Sequence, residues 1–336
     1  MTEKENLMLI LKGEEPEWLP RYSTFGNPNA PYKAPVATVM PRLSENTREK
    51  GKDMFGVEYT PTESAGGASL PTPNKFILDD IRKWRDVIKV PNIDDLDFER
   101  MAKADLANID RSTTAVALGT NNGYFQMLMN FMGFTNGLCT MIEEPEEVMA
   151  LYEYLADFYD VVVRRAMKYY KPDILFMGDD IATAQHPFIS VNLYRELVKP
   201  YHARLGQIAM EAGIPVDMHC CGHCEAFIDD WLDFGVKMWN PAQVSNDLVG
   251  IKKKYKGRLV LIGCWDSQGP AGLVGAPDDL IREEVRKCID TYAPGGGFIF
   301  FAGVYGPQTD ELRHHQDCIT DEYMKYGRPW YKNHRS

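Results

Sequence analysis

Two imidazoles and three thiols fall within six consecutive residues, His219-Cys220-Cys221-Gly222-His223-Cys224, and a further thiol follows at Cys264. Thiolate sulfur and imidazole nitrogen are the donors that hold zinc in tetrahedral sites. His219 and Cys221 are two apart, so on an extended segment both side chains leave the same face, while Cys220 points away. Cys221 and Cys224 also make a CxxC, which opens a redox reading, and buried cysteine as a small apolar residue is a third. The redox reading needs a thioredoxin-like context, whereas this sequence offers a series of strand ends. Of the seven cysteines, Cys139, Cys220, Cys288 and Cys318 are expected to be packing residues.

Acid–base groups stand at comparable places. Asp179 and Asp180 follow an apolar run; if both faced one pocket their repulsion would raise one pKa and supply an acid, but alternation turns one of them inward. His186 shares their loop, either as a catalytic group or as the cap of the following turn. Tyr22, Glu63, Asn121, Asn122, Tyr124, Trp265 and Tyr305 follow other apolar runs and are expected to line an aromatic-sized substrate pocket. Met127, Met129 and Met132 fit helix packing better than a substrate wall.

These groups need a scaffold that gathers strand ends. Short β-branched or apolar runs at 18–24, 57–60, 114–118, 173–177, 215–219, 237–240, 259–262 and 298–301 alternate with helical stretches. Val148, Leu151, Leu155, Phe158, Val162 and Met167 recur at helical spacing and predict one long helix over 145–170. A second helix is expected after Ser190, continuing through Leu205 toward Gly213, and a third from Asp278 to the turn at Pro294-Gly295-Gly296-Gly297. Eight strands with intervening helices predict a (β/α)8 barrel, whose chemistry collects at the C-terminal strand ends. Residues 1–336 are expected to form a single barrel domain with an N-terminal helical and loop extension. Within it, 25–56 is too long and Pro/Asn-rich for a tight turn and is expected to form a cover or an interface segment.

With 48 acidic against 37 basic residues, the formal charge of −11 repels phosphate backbones. No basic stripe with interleaved aromatics offsets it, which argues against nucleic-acid binding. No apolar run is long enough for a membrane span and the N-terminus lacks a secretory signal, so a soluble cytoplasmic protein without a disulfide framework is expected.

The run His219-Cys220-Cys221-Gly222, followed by FGVKMWNPAQ, GRLVLIGCWDSQG and APGGGFIFFAGVYGP, resembles the second half of the uroporphyrinogen decarboxylase superfamily. The opening MTEKENLMLILKGEEPEWLP, DMFGVEYTPTESAGG, DDIRKWRDVIKVP and FMGDDIATAQHPFISVNLYRELVKPY resemble its first half, so the likeness covers nearly the whole chain and implies the same barrel. Metal-free decarboxylases of this superfamily carry an RQAGR-like motif; here LPRYSTFGNPN offers Arg21 alone. The resemblance therefore points to the zinc methyltransferase branch, which exchanges methyl groups with a corrinoid (cobalamin) on a partner protein. His219 and Cys221 resemble that branch's zinc pair. A third zinc cysteine follows the eighth strand in thiol-methylating members, where this chain has Gly303-Val304-Tyr305. Cys264, in place of a glycine common in the family's GGxD turn, is the expected replacement.

A competing set is Glu196, Cys224 and Cys264, whose 27 and 39 intervening residues resemble a zinc pattern of ether-cleaving, corrinoid-dependent methyltransferases. The implied activity is O-demethylation, with methyl passing from a methoxylated aromatic or similar small donor to the Co(I) of a corrinoid protein. The alternatives are methyl transfer from a methyl-corrinoid protein to tetrahydrofolate or a thiol, and metal-free decarboxylation. A homodimer is compatible with the chain.

Overall fold

The computed structural model describes residues 1–23, 30–63, 66–120 and 123–334. Nine strands are described: β1 (Val36–Val39), β2 (Tyr59–Thr62), β3 (Ala68–Pro71), β4 (Ala115–Gly119), β5 (Ile174–Gly178), β6 (Val216–His219), β7 (Val236–Ala242), β8 (Val260–Cys264) and β9 (Phe298–Phe301). Seven of them pair in parallel in the order β1-β4-β5-β6-β7-β8-β9, with helices in the connections. An eighth stave is the segment at Arg21, which bridges Phe300 in parallel: Tyr22 N–H donates to Phe300 O at 2.8 Å and Phe300 N–H to Pro20 O at 3.0 Å. The architecture is a (β/α)8-type barrel.

Alternation along the strands sorts side chains into two layers. Val36, Ala115, Ala117, Ile174, Met238, Val260, Ile262 and Ile299 form the barrel interior together with Tyr22. Leu7 and Ile10 of the helix Glu3–Leu11 join this inner cluster, so the N-terminal extension supplies part of the core. The intervening residues, such as Val116, Leu118, Leu175, Met218, Trp239 and Leu261, pack outward against the helices.

Three expectations change. The run at 57–60 is not a barrel strand: β2 pairs antiparallel with β3 in a separate hairpin. Pro61 and Pro71 have no amide N–H for a central ladder and fit a two-stranded edge unit. The barrel strand instead comes from within the expected cover segment, where Val36-Ala37-Thr38-Val39 pairs with β4. Its four residues were too few to stand out between prolines. The run at 18–24 shortens to the Arg21 bridge; its last residue, and 25–29 of the cover, lie outside the described residues.

The long helix spans Pro145–Tyr170, with Val148, Leu151, Leu155, Phe158 and Val162 buried. Ser190 caps the next helix, its Oγ accepting from Leu193 N–H at 3.1 Å. That helix is Val191–Leu197, and a second, Lys199–Glu211, continues after a break at Val198, with Pro200 in its first turn where a missing N–H costs no helical bond. No described helix is long and apolar enough to cross a membrane.

Candidate metal centre

The site is built at the C-terminal ends of β5 and β6. Gly178 pairs with His219 in the parallel ladder, and Asp179 N–H donates to His219 O at 3.0 Å. Asp180 and Cys221 each lie two residues beyond that pair, and equal displacement on adjacent parallel strands brings them together. Cys221 N–H donates to Asp180 Oδ1 at 2.7 Å. His219 Nε2 lies 3.8 Å from Asp180 Oδ1 and 3.9 Å from Cys221 Sγ. One donor atom from each of Asp180, His219 and Cys221 thus falls within 4.8 Å of the others. This sulfur, nitrogen and oxygen set matches the borderline preference of zinc, and three protein ligands leave a position for water or substrate, the pattern of catalytic rather than structural zinc. Burial and the Asp180 carboxylate push the Cys221 thiol up, so a bound cation is what would favour its thiolate.

The turn that carries Cys221 is held from two sides. Gly222 N–H donates to Gln243 Oε1 at 2.7 Å, and Asn246 bonds Cys224 N–H, Glu225 N–H and Gly222 O. Gly222 has φ +95°, and a Cβ there would stand 2.5 Å from Thr183 O, so the β5 and β6 loops meet only over a glycine.

His219 is fixed from behind. It pairs with Asn240 across β6 and β7, and its Nδ1 lies 2.9 Å from Asn240 Oδ1. Asn240 Nδ2 donates to Asp217 Oδ1 at 2.6 Å, and Tyr22 Oη donates to Asp217 Oδ2 at 3.3 Å. Asp217, between the outward Val216 and Met218, faces the barrel interior and is fully buried; burial raises its carboxyl to about 6, against the pull of Asn240. Asp217, Gln243 and Asn246 were not singled out in the sequence. A carboxylate two residues before His219 in an apolar strand was the available signal.

His219 and Asp180 open onto a cavity of about 1100 Å³. Met127 and Phe176 supply an apolar wall, Gln126 and Asn130 polar groups, and Lys33 and Arg48 positive charge. Tyr305 is exposed at the rim, yet its phenol feels Cys221 and Asp180; partial burial first, then these groups, raise its pKa.

The other sequence candidates go elsewhere. Asp179 is fully buried and points away from the cavity: Phe125 N–H and Gln126 N–H, at the start of the helix Tyr124–Met132, and His202 Nε2 all reach it within 3.0 Å. It anchors a helix N-terminus. Tyr124 is buried among Tyr152, Tyr201 and His202. His186 is exposed in a turn that Thr183 Oγ1 closes on its backbone, Glu63 is exposed beside the hairpin, and Tyr22 lies beneath the site as part of the Asp217 network. Asn121 and Asn122 lie outside the described residues.

Neither set containing Cys264 converges. Alternation from Val260 and Ile262 would aim Cys264 inward, but Gly263 at φ +115° and Cys264 at φ +58° turn the chain, and Cys264 joins the sheet–helix layer with Trp265. Cys288 Sγ lies 3.4 Å from its carbonyl. Cys224 is buried with its sulfur 3.3 Å from that of Cys220, and Glu196 is exposed on the helix Val191–Leu197. Asp180, expected as an acid, is the third group beside His219 and Cys221.

Residues 53–313 match the family model described as uroporphyrinogen decarboxylase (URO-D). Among solved structures, a methyltransferase from Methanosarcina mazei superposes with a TM-score of 0.63 at 15% identity, covering 96% of this chain and 99% of that one. A uronate isomerase from Bacillus halodurans reaches a TM-score of 0.30 at 14% identity, covering 64% and 51%, too loose a likeness to argue from. No curated protein matches in sequence.

Proposed function

The chain belongs to the uroporphyrinogen decarboxylase family, and we propose that within it the protein is a zinc-dependent methyltransferase that moves methyl from a methoxylated aromatic to the corrinoid of a partner protein. The observation that carries this reading is the convergence of Asp180, His219 and Cys221 beside a cavity of about 1100 Å³. A decarboxylase that needs no metal has no use for a thiol and an imidazole aimed at one point. The fold shared with a protein named as a methyltransferase is consistent with it.

Zinc held by these three groups supplies Lewis-acid polarisation of a donor oxygen. Phe176 and Met127 bind the ring by apolar contact, and Lys33 or Arg48 offers a counter-charge to an acidic substituent. The oxygen that keeps the electron pair when its bond to methyl breaks would leave as an oxyanion, to which the Tyr305 hydroxyl, protonated at neutral pH, would offer a hydrogen bond. Val244, Leu273 and Tyr305 are exposed in the loops after β7, β8 and β9, the barrel end at which a partner protein would dock.

The deciding experiment combines zinc analysis of anaerobically purified protein with a cobalt-absorbance assay, using a reduced corrinoid protein and a panel of methoxyarenes. About one zinc per chain and loss of the Co(I) signal with a methoxyarene are expected. Zinc-free protein, or turnover confined to a methyl-corrinoid with a thiol or folate, overturns this reading, the latter outcome reversing the direction of transfer.

A further inference from the structure

We infer that Tyr22, Asp217 and Asn240 form a buried relay whose task is to fix the tautomer of His219 so that Nε2 is the free, ligating nitrogen. This deepens the zinc reading above and rests on it for its purpose, though the tautomer itself does not depend on metal.

The direction of each bond follows from what its partners can do. Asn240 Nδ2 stands 2.6 Å from Asp217 Oδ1 and donates to it, since an amide nitrogen cannot accept. Asn240 therefore turns its oxygen toward His219, at 2.9 Å from Nδ1. An amide oxygen accepts, so Nδ1 carries the proton and the lone pair is left on Nε2, the nitrogen nearest Cys221 and Asp180. Tyr22 Oη holds the far oxygen of Asp217 and completes the chain. Asp217 and Asn240 are buried, so water does not compete for these bonds.

A purely structural role would not choose this arrangement. A carboxylate sealed in a barrel interior is costly unless it is paired, and no cation is seen to pair with Asp217 among the described residues. An apolar side chain in its place would pack the interior without that cost. What the carboxylate does, and an apolar group or a second amide would not, is forbid the flipped orientation of Asn240. Histidine ligands elsewhere are commonly oriented by an acceptor on the second nitrogen; here the acceptor is itself oriented by a buried acid. The three residues are positioning groups: Asn240 touches His219 only at Nδ1, the nitrogen turned away from Cys221 and Asp180, and Tyr22 and Asp217 act through Asn240.

The test reads the imidazole directly. The full chain is labelled with 15N-histidine, the His219 signals are assigned through His219→Gln, and spectra are taken metal-free at alkaline pH, where imidazole is neutral. Wild-type His219 is expected to carry its proton on Nδ1. In Asp217→Asn, which keeps the side-chain volume, the two tautomers are expected to mix. Zinc affinity, measured by chelator competition, should weaken about 10–100-fold in Asp217→Asn and Asn240→Leu. The metal-free unfolding midpoint of Asp217→Asn should not fall, which separates positioning from folding.

Wild-type His219 protonated on Nε2, or an unchanged tautomer and zinc affinity in Asp217→Asn, overturns the relay. A protein that shows the relay and binds zinc but transfers no methyl overturns the proposed activity instead.

Discussion

The backbone N–H of Cys221 holds Asp180 Oδ1 at 2.7 Å, tying the ends of β5 and β6 at the level of the donor atoms. This contact makes Asp180 a partner of Cys221 and His219 rather than a free acid, and it separates the ligand sets experimentally. His219→Ala, Cys221→Ala and Asp180→Ala should each lower bound zinc well below one per chain after dialysis. Cys224→Ala and Cys264→Ala should retain it. Metal analysis of the five variants checks this, and zinc loss in Cys264→Ala with retention in Asp180→Ala would reverse the assignment.

Asp179, next in sequence to Asp180, has a different task. It accepts from two helix N-terminal amides and contacts His202 while fully buried. Removing a charged acceptor leaves buried donors unpaired and the helix dipole uncompensated. Asp179→Ala should therefore lower unfolding free energy by about 3 kcal/mol while the folded fraction keeps its zinc. Urea unfolding together with metal analysis separates the two effects.

Cys264 sits at φ +58°, a region that L side chains adopt at a cost and β-branched ones hardly at all. Cys264→Gly relieves that strain but gives up a buried side chain, so stability should change by less than about 1 kcal/mol. Cys264→Val should lose about 2 kcal/mol or more. Thermal melts of the two variants provide the comparison.

The helices behind the site are tied by Asp230, which accepts from Arg195 Nε at 3.0 Å and Lys199 Nζ at 2.7 Å. Burial opposes its ionisation, but these bonds outweigh it and hold the carboxyl below its usual value. The folded state therefore binds fewer protons than the unfolded chain. The resulting stabilisation is present above the unfolded value of about 3.9 and is lost as pH falls through the folded one. Asp230→Asn should cost about 1–2 kcal/mol at neutral pH, discounted for the exposure of Arg195, with the difference shrinking as the medium is made strongly acidic. Urea unfolding across a pH series tests the sign.

Much of the barrel was legible from local patterns. Strands at 114–118, 173–177, 215–219, 237–240, 259–262 and 298–301 correspond to β4–β9, and the helix over 145–170 is seen as Pro145–Tyr170. Their apolar runs and helical spacing are properties of neighbouring residues. β1 escaped because four residues between prolines carry too little pattern, and the run at 57–60 misled because β-branched residues suit a hairpin as well as a barrel.

The closeness of His219 and Cys221 could be read from their spacing, since residues two apart leave the same face of an extended segment. The alternation of apolar runs with helical stretches also pointed to the C-terminal strand ends as the place for a site. Which third group joins them was decided by tertiary structure: the register Gly178↔His219 delivers Asp180, and the positive φ at Gly263 and Cys264 carries the expected sulfur away. Register and backbone sign are relations between segments far apart in the chain or departures from regular geometry. No spacing within a single strand encodes them.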